Sequence, residues 1–568
     1  MHKIFLSLVM LAPLLQVKAQ KEKDSINTEV INVVSSYKPT ISDAFKSKDL
    51  PVINKGKRQK KQLKYRINST PIRSVFRPNI GSYKVALKDK SEIALPNYIK
   101  VGYGNYNTPL LEAYLHRQKK QHEGHLYIYN KTSEGGIKGV QLDNNYLTTK
   151  IEGAYKNNQK NHVWHAKIGY HKDLQNWYGI PFEYSNTVLD AMDVKQSYNR
   201  FFVSGAVSFK NNTLRDIKTS FFSISDAFKS SETQFSVAPT FEFTIADNKI
   251  ITDIELSVLN GAFKPEELAT ELDYDFVNLG TSAHYQIAAE NYFFSIGAKV
   301  RYNAAIADSK NTFKIYPDLK IDYVLVEEIC NIYAGISGDL YQNSYREITR
   351  ANPFVRPDLE IRVTDNNYTT FAGFKGKLSS RIDYTLKASY ALENDKLLFR
   401  ASPNTTDGNT LLLEKSYAAG NSFLAVYDDV KTFGLFGEIN VQLKDGITVG
   451  GNIQIDNYST ENEEEAWNLP PFTASIHALY NLNKWNFKAA LFTKGERKDI
   501  VIDNMNSQTI VNLEAFADLN LSTTYKFTDN WSGFIALKNI LNSNYETFSN
   551  YQVQGFQVLG GVKYSFDF

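Results

Sequence analysis

Apolar and polar residues alternate with a period of two along most of this chain, from about residue 97 to its end. In residues 513–527 one face carries Leu513, Ala515, Ala517, Leu519, Leu521, Tyr525 and Phe527, and the other carries Glu514, Asp518, Asn520, Ser522 and Lys526. Successive side chains of a β-strand point to opposite faces, so such a strand meets an apolar medium on one side and water on the other. The pattern predicts an all-β fold of half-buried strands.

The connections between these runs alternate between short and long. The short ones include residues 211–213, 246–248, 379–380, 444–446, 483–484 and 528–530, and the long ones are 172–198, 260–276, 343–368, 401–421, 459–470, 496–511 and 542–554. Outer-membrane barrels have short periplasmic turns, long external loops and an even number of strands. We therefore predict a transmembrane antiparallel β-barrel of about 22 strands over residues 97–568. A soluble sandwich or propeller also alternates, but the charge on the polar faces suits a wet lumen better.

The last predicted strand ends the chain on an aromatic residue. One face carries Phe556, Val558, Gly560, Val562, Tyr564, Phe566 and Phe568, and the other carries Gln557, Lys563, Ser565 and Asp567. Closure of a barrel and its insertion in the outer membrane call for such an amphipathic aromatic end. We take Tyr564, Phe566 and Phe568 as the C-terminal barrel signature.

Composition agrees with a barrel and argues against other classes. The net charge is only +3, so no overall field favours nucleic acid, and 13% of the residues are aromatic, as strands and aromatic girdles require. The single cysteine, Cys330, cannot form an intramolecular disulfide. Stability must then come from another source, which a closed, hydrogen-bonded barrel surrounded by outer-membrane lipid supplies.

The N-terminus resembles a secretory leader. His2 and Lys3 precede an apolar run over residues 4–15, which is too short to span a membrane, and a cleavage site is predicted after Ala19. Residues 1–19 are therefore predicted to be a signal peptide. Residues 20–96 are predicted to form a short, mostly irregular periplasmic segment.

A basic stretch runs through this segment at residues 55–66. It contains Lys55, Lys57, Arg58, Lys60, Lys61, Lys64 and Arg66. We interpret it as a linker kept soluble by its charge, and a contact with an acidic partner or anionic lipid is the alternative.

No motif predicts catalysis, a cofactor or a metal site. The sequence has no phosphate loop, nucleophile elbow or zincin helix. His122 and His125 lie at a predicted periplasmic turn, whereas His162 and His165 should face opposite sides of one strand. The external acidic run (Glu461, Glu463, Glu464 and Glu465) is predicted to be solvated. Trp177, Tyr178 and Trp467 are predicted to pack loops together, with sugar stacking as the alternative.

Several residues resemble the TonB-dependent receptor family. Residues 537–546 (LKNILNSNYE) and 555–568 (GFQVLGGVKYSFDF) are similar to the last two strands of these receptors, in a composition like that of Bacteroidetes members. One short segment is similar to a TonB box, which pairs with TonB by strand addition. It consists of Thr28, Glu29, Val30, Ile31, Asn32, Val33 and Val34. The resemblance implies an outer-membrane protein that takes up a ligand with TonB.

The chain departs from that family between the box and the barrel. Only residues 47–96 are available where the family has a folded plug, and they lack its glycine-punctuated β pattern. A barrel of about 22 strands encloses a lumen that must be filled. We expect the N-terminal segment to thread inside, loops 343–368 and 401–421 to fold inward, or a partner to block the pore.

Three functions remain open at this point. The first is nutrient uptake with TonB, or a derivative of it without a plug. The second is a non-transporting barrel subunit that docks an outer-membrane lipoprotein or another barrel subunit through its N-terminal segment. The third is a passive porin, which requires an open lumen.

Overall fold

The computed structural model describes residues 97–210, 212–246, 248–263, 272–307, 309–405, 417, 419–444, 446–503 and 505–567. Two short helices, α1 (Asn186–Ala191) and α2 (Tyr345–Ala351), accompany the strands. The strands are β1 (Asn97–Gly104), β2 (Thr108–Lys119), β3 (His122–Ser133), β4 (Tyr146–Asn158), β5 (His162–Asn176), β6 (Lys195–Phe209), β7 (Leu214–Ser225), β8 (Ser231–Ile245), β9 (Asn248–Phe263), β10 (Leu272–Ala288), β11 (Tyr292–Ala305), β12 (Lys310–Val326), β13 (Cys330–Gln342), β14 (Val363–Ser379), β15 (Ile382–Ala401), β16 (Phe423–Lys444), β17 (Ile447–Thr460), β18 (Phe472–Leu482), β19 (Trp485–Lys494), β20 (Arg497–Ile502), β21 (Gln508–Leu513), β22 (Phe516–Lys526), β23 (Trp531–Lys538), β24 (Glu546–Phe548), β25 (Tyr551–Gln552) and β26 (Gln557–Phe566).

Twenty-two of these strands close into one antiparallel barrel. From β1 to β19 each strand pairs with the next, and the ladder continues through β22, β23 and β26 back to β1. The closing register places Tyr98 opposite Ser565 and Val101 opposite Val562. Closure removes every edge strand, so the backbone groups of the ladder need no water, which is the condition for crossing lipid. The predicted barrel of about 22 strands is confirmed.

The two faces of the wall differ as the alternation predicts. On β1, Ile99 and Val101 are 43% and 45% exposed on the outside. Between them, Lys100 points into the lumen and forms an ion pair with Glu112 of β2. The outer surface is therefore an apolar band that faces lipid, and the inner surface is polar.

The two rims also differ as expected. At the rim where β1 begins and β26 ends, the connections between strands are never longer than four residues. The opposite rim carries long connections, among them residues 177–194, 343–362, 402–422 and 539–556. This asymmetry identifies the first rim as periplasmic and the second as external. Within the described residues, no helix has the length and apolar content to cross a membrane.

One predicted strand is two separate elements. We expected a continuous strand over residues 512–527, but β21 ends at Leu513 and β22 begins at Phe516. Leu513 pairs with Arg497 in a hairpin outside the barrel, whereas Phe516 pairs with Lys494 in the barrel wall. The alternation runs through both elements without a break, so the sequence does not reveal that the strand changes partner.

Aromatic rings line the periplasmic rim next to the closing seam. Tyr564 packs on Trp531 with ring centroids 4.8 Å apart and stacks on Phe566 at 5.7 Å. Trp485 packs on Tyr525 at 4.6 Å in the neighbouring strands. Such rings anchor a barrel at the membrane interface. The structure thus places Tyr564 and Phe566 of the predicted signature at the interface, while Phe568 lies outside the described residues.

Candidate functional site

The external loops meet over the mouth of the barrel in a structure that we call the external cap. It consists of residues 177–194 with α1, 343–362 with α2, 419–422, and 539–556 with the β24–β25 hairpin. The first of these loops follows β5 and the third precedes β16, so they start from nearly opposite sides of the 22-strand wall. A barrel of this size is roughly 40 Å across, and the loops must therefore lean far inward to touch.

Hydrogen bonds join the loops from the two sides. The side-chain amide of Asn421 donates to the carbonyl oxygen of Trp177 at 2.7 Å. The hydroxyl of Tyr551 in turn donates to the carbonyl oxygen of Asn421 at 2.5 Å, and Tyr178 donates to the carbonyl oxygen of Gln552 at 2.8 Å. All three loops are thus held at one point above the lumen.

Aromatic packing fills the centre of the cap. The rings of Phe354 and Tyr551 stack with centroids 3.6 Å apart, and Phe423 and Phe548 pack beside them. Gly179 makes room for this cluster, because a Cβ there would lie 2.5 Å from the Tyr551 ring. Burial of several large rings is worth a few kcal/mol per ring, so the cap has a core of its own.

Helix α2 is anchored to the tops of β7 and β8 by buried carboxylates. Glu232 accepts hydrogen bonds from the backbone amides of Tyr345 at 2.6 Å and Arg346 at 3.0 Å. Asp226 accepts one from the Tyr345 hydroxyl at 2.7 Å. The first amides of a helix lack partners within it, so Glu232 satisfies donors that would otherwise be buried unpaired. Burial raises the pKa of the Asp226 carboxyl above its usual range.

A second buried cluster lies under the β20–β21 hairpin. Leu398, Trp467, Ile500 and Ile502 form its apolar part. The adjacent Asp499 is fully buried and accepts hydrogen bonds from the backbone amide of Ala401 and the side chain of Asn468.

The hairpin also carries a buried cation. Arg497 donates to the carbonyl oxygens of Thr547 at 2.5 Å and Glu546 at 2.7 Å, which ties the hairpin to the cap. Burial raises the pKa of Asp499 to about 6 and lowers the pKa of Arg497 to about 10. Desolvation therefore outweighs the attraction between these two opposite charges.

The external tryptophans pack loops together, as predicted. Trp177 is fully buried and stacks on Phe228 at 5.1 Å, and Trp467 is 2% exposed. Neither ring is accessible to a sugar in this structure. The expectation of a solvated acidic run is wrong for Glu463, because this side chain pairs with Arg400 at 3.0 Å and accepts a hydrogen bond from the Trp467 indole. Spacing alone did not show this, since Arg400 lies at the end of β15, far from Glu463 in the chain.

The histidines lie as the alternation predicts. His162 and His165 lie on opposite faces of β5, whose pairing shows no bulge between them. His122 follows a periplasmic turn and contacts the Tyr155 hydroxyl at 2.6 Å. Among the described residues, no three His, Cys, Asp or Glu side chains converge closely enough to hold a metal ion.

Several predicted features lie outside the described residues. They are the leader (1–19), the TonB box (28–34) and the basic stretch (55–66). The residues that build the cap and the hairpin beside it, such as Phe354, Arg497, Asp499 and Tyr551, were not singled out from the sequence. The run of β-branched residues Ile500, Val501 and Ile502 was the one local sign of an additional strand.

Solved structures of similar fold are outer-membrane receptors and transporters. The ferripyoverdine receptor of the outer membrane of Pseudomonas aeruginosa superposes with a TM-score of 0.60 at 12% identity, over 83% of this chain and 72% of that one. The FrpB iron transporter from Neisseria meningitidis gives 0.63 at 10% identity, over 83% and 81%. The ferric enterobactin receptor PfeA from Pseudomonas aeruginosa gives 0.58 at 10% identity, over 83% and 80%.

The chain has the fold of these receptor barrels. With its closed ladder and apolar outer band, it is a protein of the cell outer membrane. No protein-family model and no curated protein sequence matches it. The predicted resemblance to TonB-dependent receptors is therefore confirmed for the barrel fold.

Proposed function

We propose that this chain is a ligand-uptake barrel of the outer membrane that TonB energises through residues 28–34. The external cap is the observation that carries the proposal. Its loops start from opposite sides of the barrel and close over the mouth around a buried core. A solute can pass such a cap only by binding to it and displacing it, which is the behaviour of a receptor and differs from that of an open pore.

The cap also supports a proposal for how a barrel without a full plug avoids leakage. Residues 47–96 lack a glycine-punctuated plug pattern, whereas the loop at residues 343–362 and the described end of the next long loop, residues 419–422, lean inward and meet other loops. These two loops are those expected from the sequence to fold inward. We therefore assign closure on the external side to the barrel's own loops, and we assign residues 20–96 to contacts in the periplasm after removal of residues 1–19.

Binding of the periplasmic domain of TonB to the full chain in detergent tests the proposal. Pairing by strand addition needs backbone amides, which proline lacks. A variant with Val30→Pro, Ile31→Pro and Val33→Pro should therefore bind TonB at least tenfold more weakly than the wild type. The matched control places three prolines outside the box (Ser47→Pro, Asp49→Pro and Ile53→Pro) and should bind within twofold of the wild type. Equal binding by both variants would refute TonB engagement through residues 28–34.

The similar structures indicate which class of ligand this barrel would take up. The similar structures are described as receptors for ferripyoverdine and ferric enterobactin and as an iron transporter. These proteins, which are 10–12% identical to this chain, have in common that they take up a solute after binding it. We propose the same general activity for this chain.

A second candidate function is a non-transporting barrel subunit of an outer-membrane complex. The complete burial of the cap's core favours this function. Trp177, Tyr345 and Val355 are fully buried, as they would be in a permanently closed structure. In that case residues 20–96 would dock a lipoprotein or another barrel subunit. Purification in mild detergent should then yield a stoichiometric companion that the three prolines in the box do not release. A passive porin would instead conduct ions in planar bilayers, where the capped barrel should be silent.

A further inference from the structure

The wall of the lumen near the closing seam carries an excess of positive charge. The inward-facing charged residues of β1–β3, β19, β22, β23 and β26 include seven lysines and three carboxylates, namely Lys100, Lys131, Lys488, Lys494, Lys526, Lys538 and Lys563 against Glu112, Glu123 and Asp518. We call the four lysines at 100, 131, 538 and 563 the lysine wall. These lysines come from four strands on the same side of the barrel, β1, β3, β23 and β26, and the first and last of them lie more than 400 residues apart in the chain.

The lysines of the wall lie close to one another. Lys100 and Lys563 are directly opposite in the register that closes the barrel. Lys131 and Lys538 also lie within the range at which their charges repel. Like charges directly opposite on a sheet are destabilising, so this arrangement costs stability unless a counter-charge is present.

On the far side of the lumen, several cations are paired with carboxylates. On the far wall, Arg301 pairs with Asp339 at 2.7 Å and Lys314 pairs with Asp365 at 2.7 Å. Within the described residues, no carboxylate lies at ion-pair distance from Lys131, Lys538 or Lys563.

The carboxylates near the lysine wall pair with only one of its lysines. Glu112 accepts a hydrogen bond from Tyr98 at 2.9 Å and pairs with Lys100 at 3.5 Å. Asp518 accepts one from Tyr545 at 2.8 Å. The basic stretch at residues 55–66 has the same sign as the wall, so it does not supply the missing counter-charge.

Aromatic rings hold two of the ammonium groups in place. Lys100 lies over the ring of Phe534 at 4.3 Å, and Lys563 lies over the ring of Tyr98 at 3.9 Å. Phe534 can lie against the wall because Gly102 and Gly561 have no side chains, and a Cβ on either would come within 2.8 Å of its ring. Cation–π contacts orient an ammonium group but do not neutralise it. The wall is therefore preorganised for an anion.

We propose that the lysine wall is an anion-binding site of the lumen, which takes a small soluble polyanion carrying phosphate or carboxylate groups. As a site on the transport path, it rests on the proposed uptake function and narrows the substrate to anionic solutes. Charges of one sign in a cleft with low-dielectric walls focus the field and raise the local concentration of counter-ions. A polyanion can bridge several of these lysines at once, as no single carboxylate of the wall does.

Titration of the detergent-solubilised full chain with sodium tripolyphosphate tests this site. The test variant is Lys131→Gln, Lys538→Gln and Lys563→Gln, and the control removes the same charge at periplasmic turns with Lys210→Gln, Lys444→Gln and Lys484→Gln. The wild type and the control should bind within twofold of each other, and the test variant at least tenfold more weakly. Binding by the wild type should also weaken in about 0.5 M NaCl, because salt screens the attraction between the lysines and the anion. Heat-modifiable gel mobility reports whether each barrel is folded.

The outcomes separate this site from the proposed function. Equal tripolyphosphate binding by the test and control variants, or none by the wild type, overturns the anion site. If the triple variant does not fold, Lys563→Gln alone should weaken binding about threefold, and unchanged binding overturns the site as well. TonB binding is measured without an anion. If the chain binds TonB but not tripolyphosphate, only the proposed substrate class is wrong. Anion binding without TonB engagement removes only the uptake proposal.

Discussion

The ring of Phe354 stacks on the ring of Tyr551 with centroids 3.6 Å apart and planes inclined by 21°. The two residues belong to loops that follow β13 and β23, which lie far apart around the barrel wall. Their contact shows that the external loops share one core over the lumen. The loops that cross the mouth are therefore held together by side-chain packing.

Phe354→Ala should open the cap. Removing a buried phenyl ring costs about 3–5 kcal/mol, a large part of the stability available to loops of this size. We expect this variant to conduct ions in planar bilayers and to admit large antibiotics into cells, whereas the wild type should do neither. The control is Phe313→Ala, because Phe313 is 60% exposed on the lipid face and takes no part in the cap. A silent Phe354→Ala channel would mean that the cap does not close the pore.

Stability of the β20–β21 hairpin should fall as pH rises. Burial raises the pKa of Asp499 to about 6, from an ordinary value near 3.8 that it regains on unfolding. The folded hairpin therefore binds more protons than the unfolded one. Its free energy of unfolding is highest below pH 3.8 and falls by roughly 3 kcal/mol as pH rises through about 6.

Hydrogen exchange of residues 497–502 at pH 4.5 and 7.5 measures this effect. The wild type should exchange faster at pH 7.5 after correction for intrinsic rates, and Asp499→Asn should remove most of the difference. Asp503→Asn, at the tip of the same hairpin, should keep it. Asp226 has a pKa raised in the same direction and accounts for any remaining dependence in the cap.

Gly561→Ala should destabilise the barrel seam, whereas Gly560→Ala should be tolerated. A Cβ at Gly561 would lie 2.1 Å from the carbonyl oxygen of Val101, which belongs to the backbone and cannot move aside. At Gly560 the nearest atom would be 3.7 Å away. We expect a loss of about 1–3 kcal/mol for Gly561→Ala, measured as a lower urea midpoint in detergent. Equal midpoints for these adjacent variants would disprove the close approach.

Glu232→Ala should release helix α2. The substitution leaves the amides of Tyr345 and Arg346 without the carboxylate that accepts from both, at a cost of about 1–3 kcal/mol. Exchange of residues 344–352 should accelerate while exchange of the barrel strands stays unchanged. Glu360→Ala removes an exposed carboxylate from the same loop and should have little effect. If both variants behave like the wild type, Glu232 does not anchor the helix.

The sequence was sufficient to predict the barrel. Alternation along β1 to β26 separates a lipid face from a lumen face, and connection lengths separate the two rims, because both signals are local. The proposed C-terminal signature of Tyr564, Phe566 and Phe568 also comes from the last strand alone, and it stays a prediction. The strand count of about 22 and the even parity followed from the same pattern.

Only the tertiary structure decided how the loops and the lumen are organised. Phe354, Tyr551 and Asn421 come together because three loops cross the mouth, and nothing in the spacing of these residues in the chain encodes that meeting. Lys100 and Lys563 become neighbours only when the last strand pairs with the first. Strand periodicity is determined by the nearest residues in the chain, whereas these contacts depend on barrel closure, which brings together residues hundreds of positions apart.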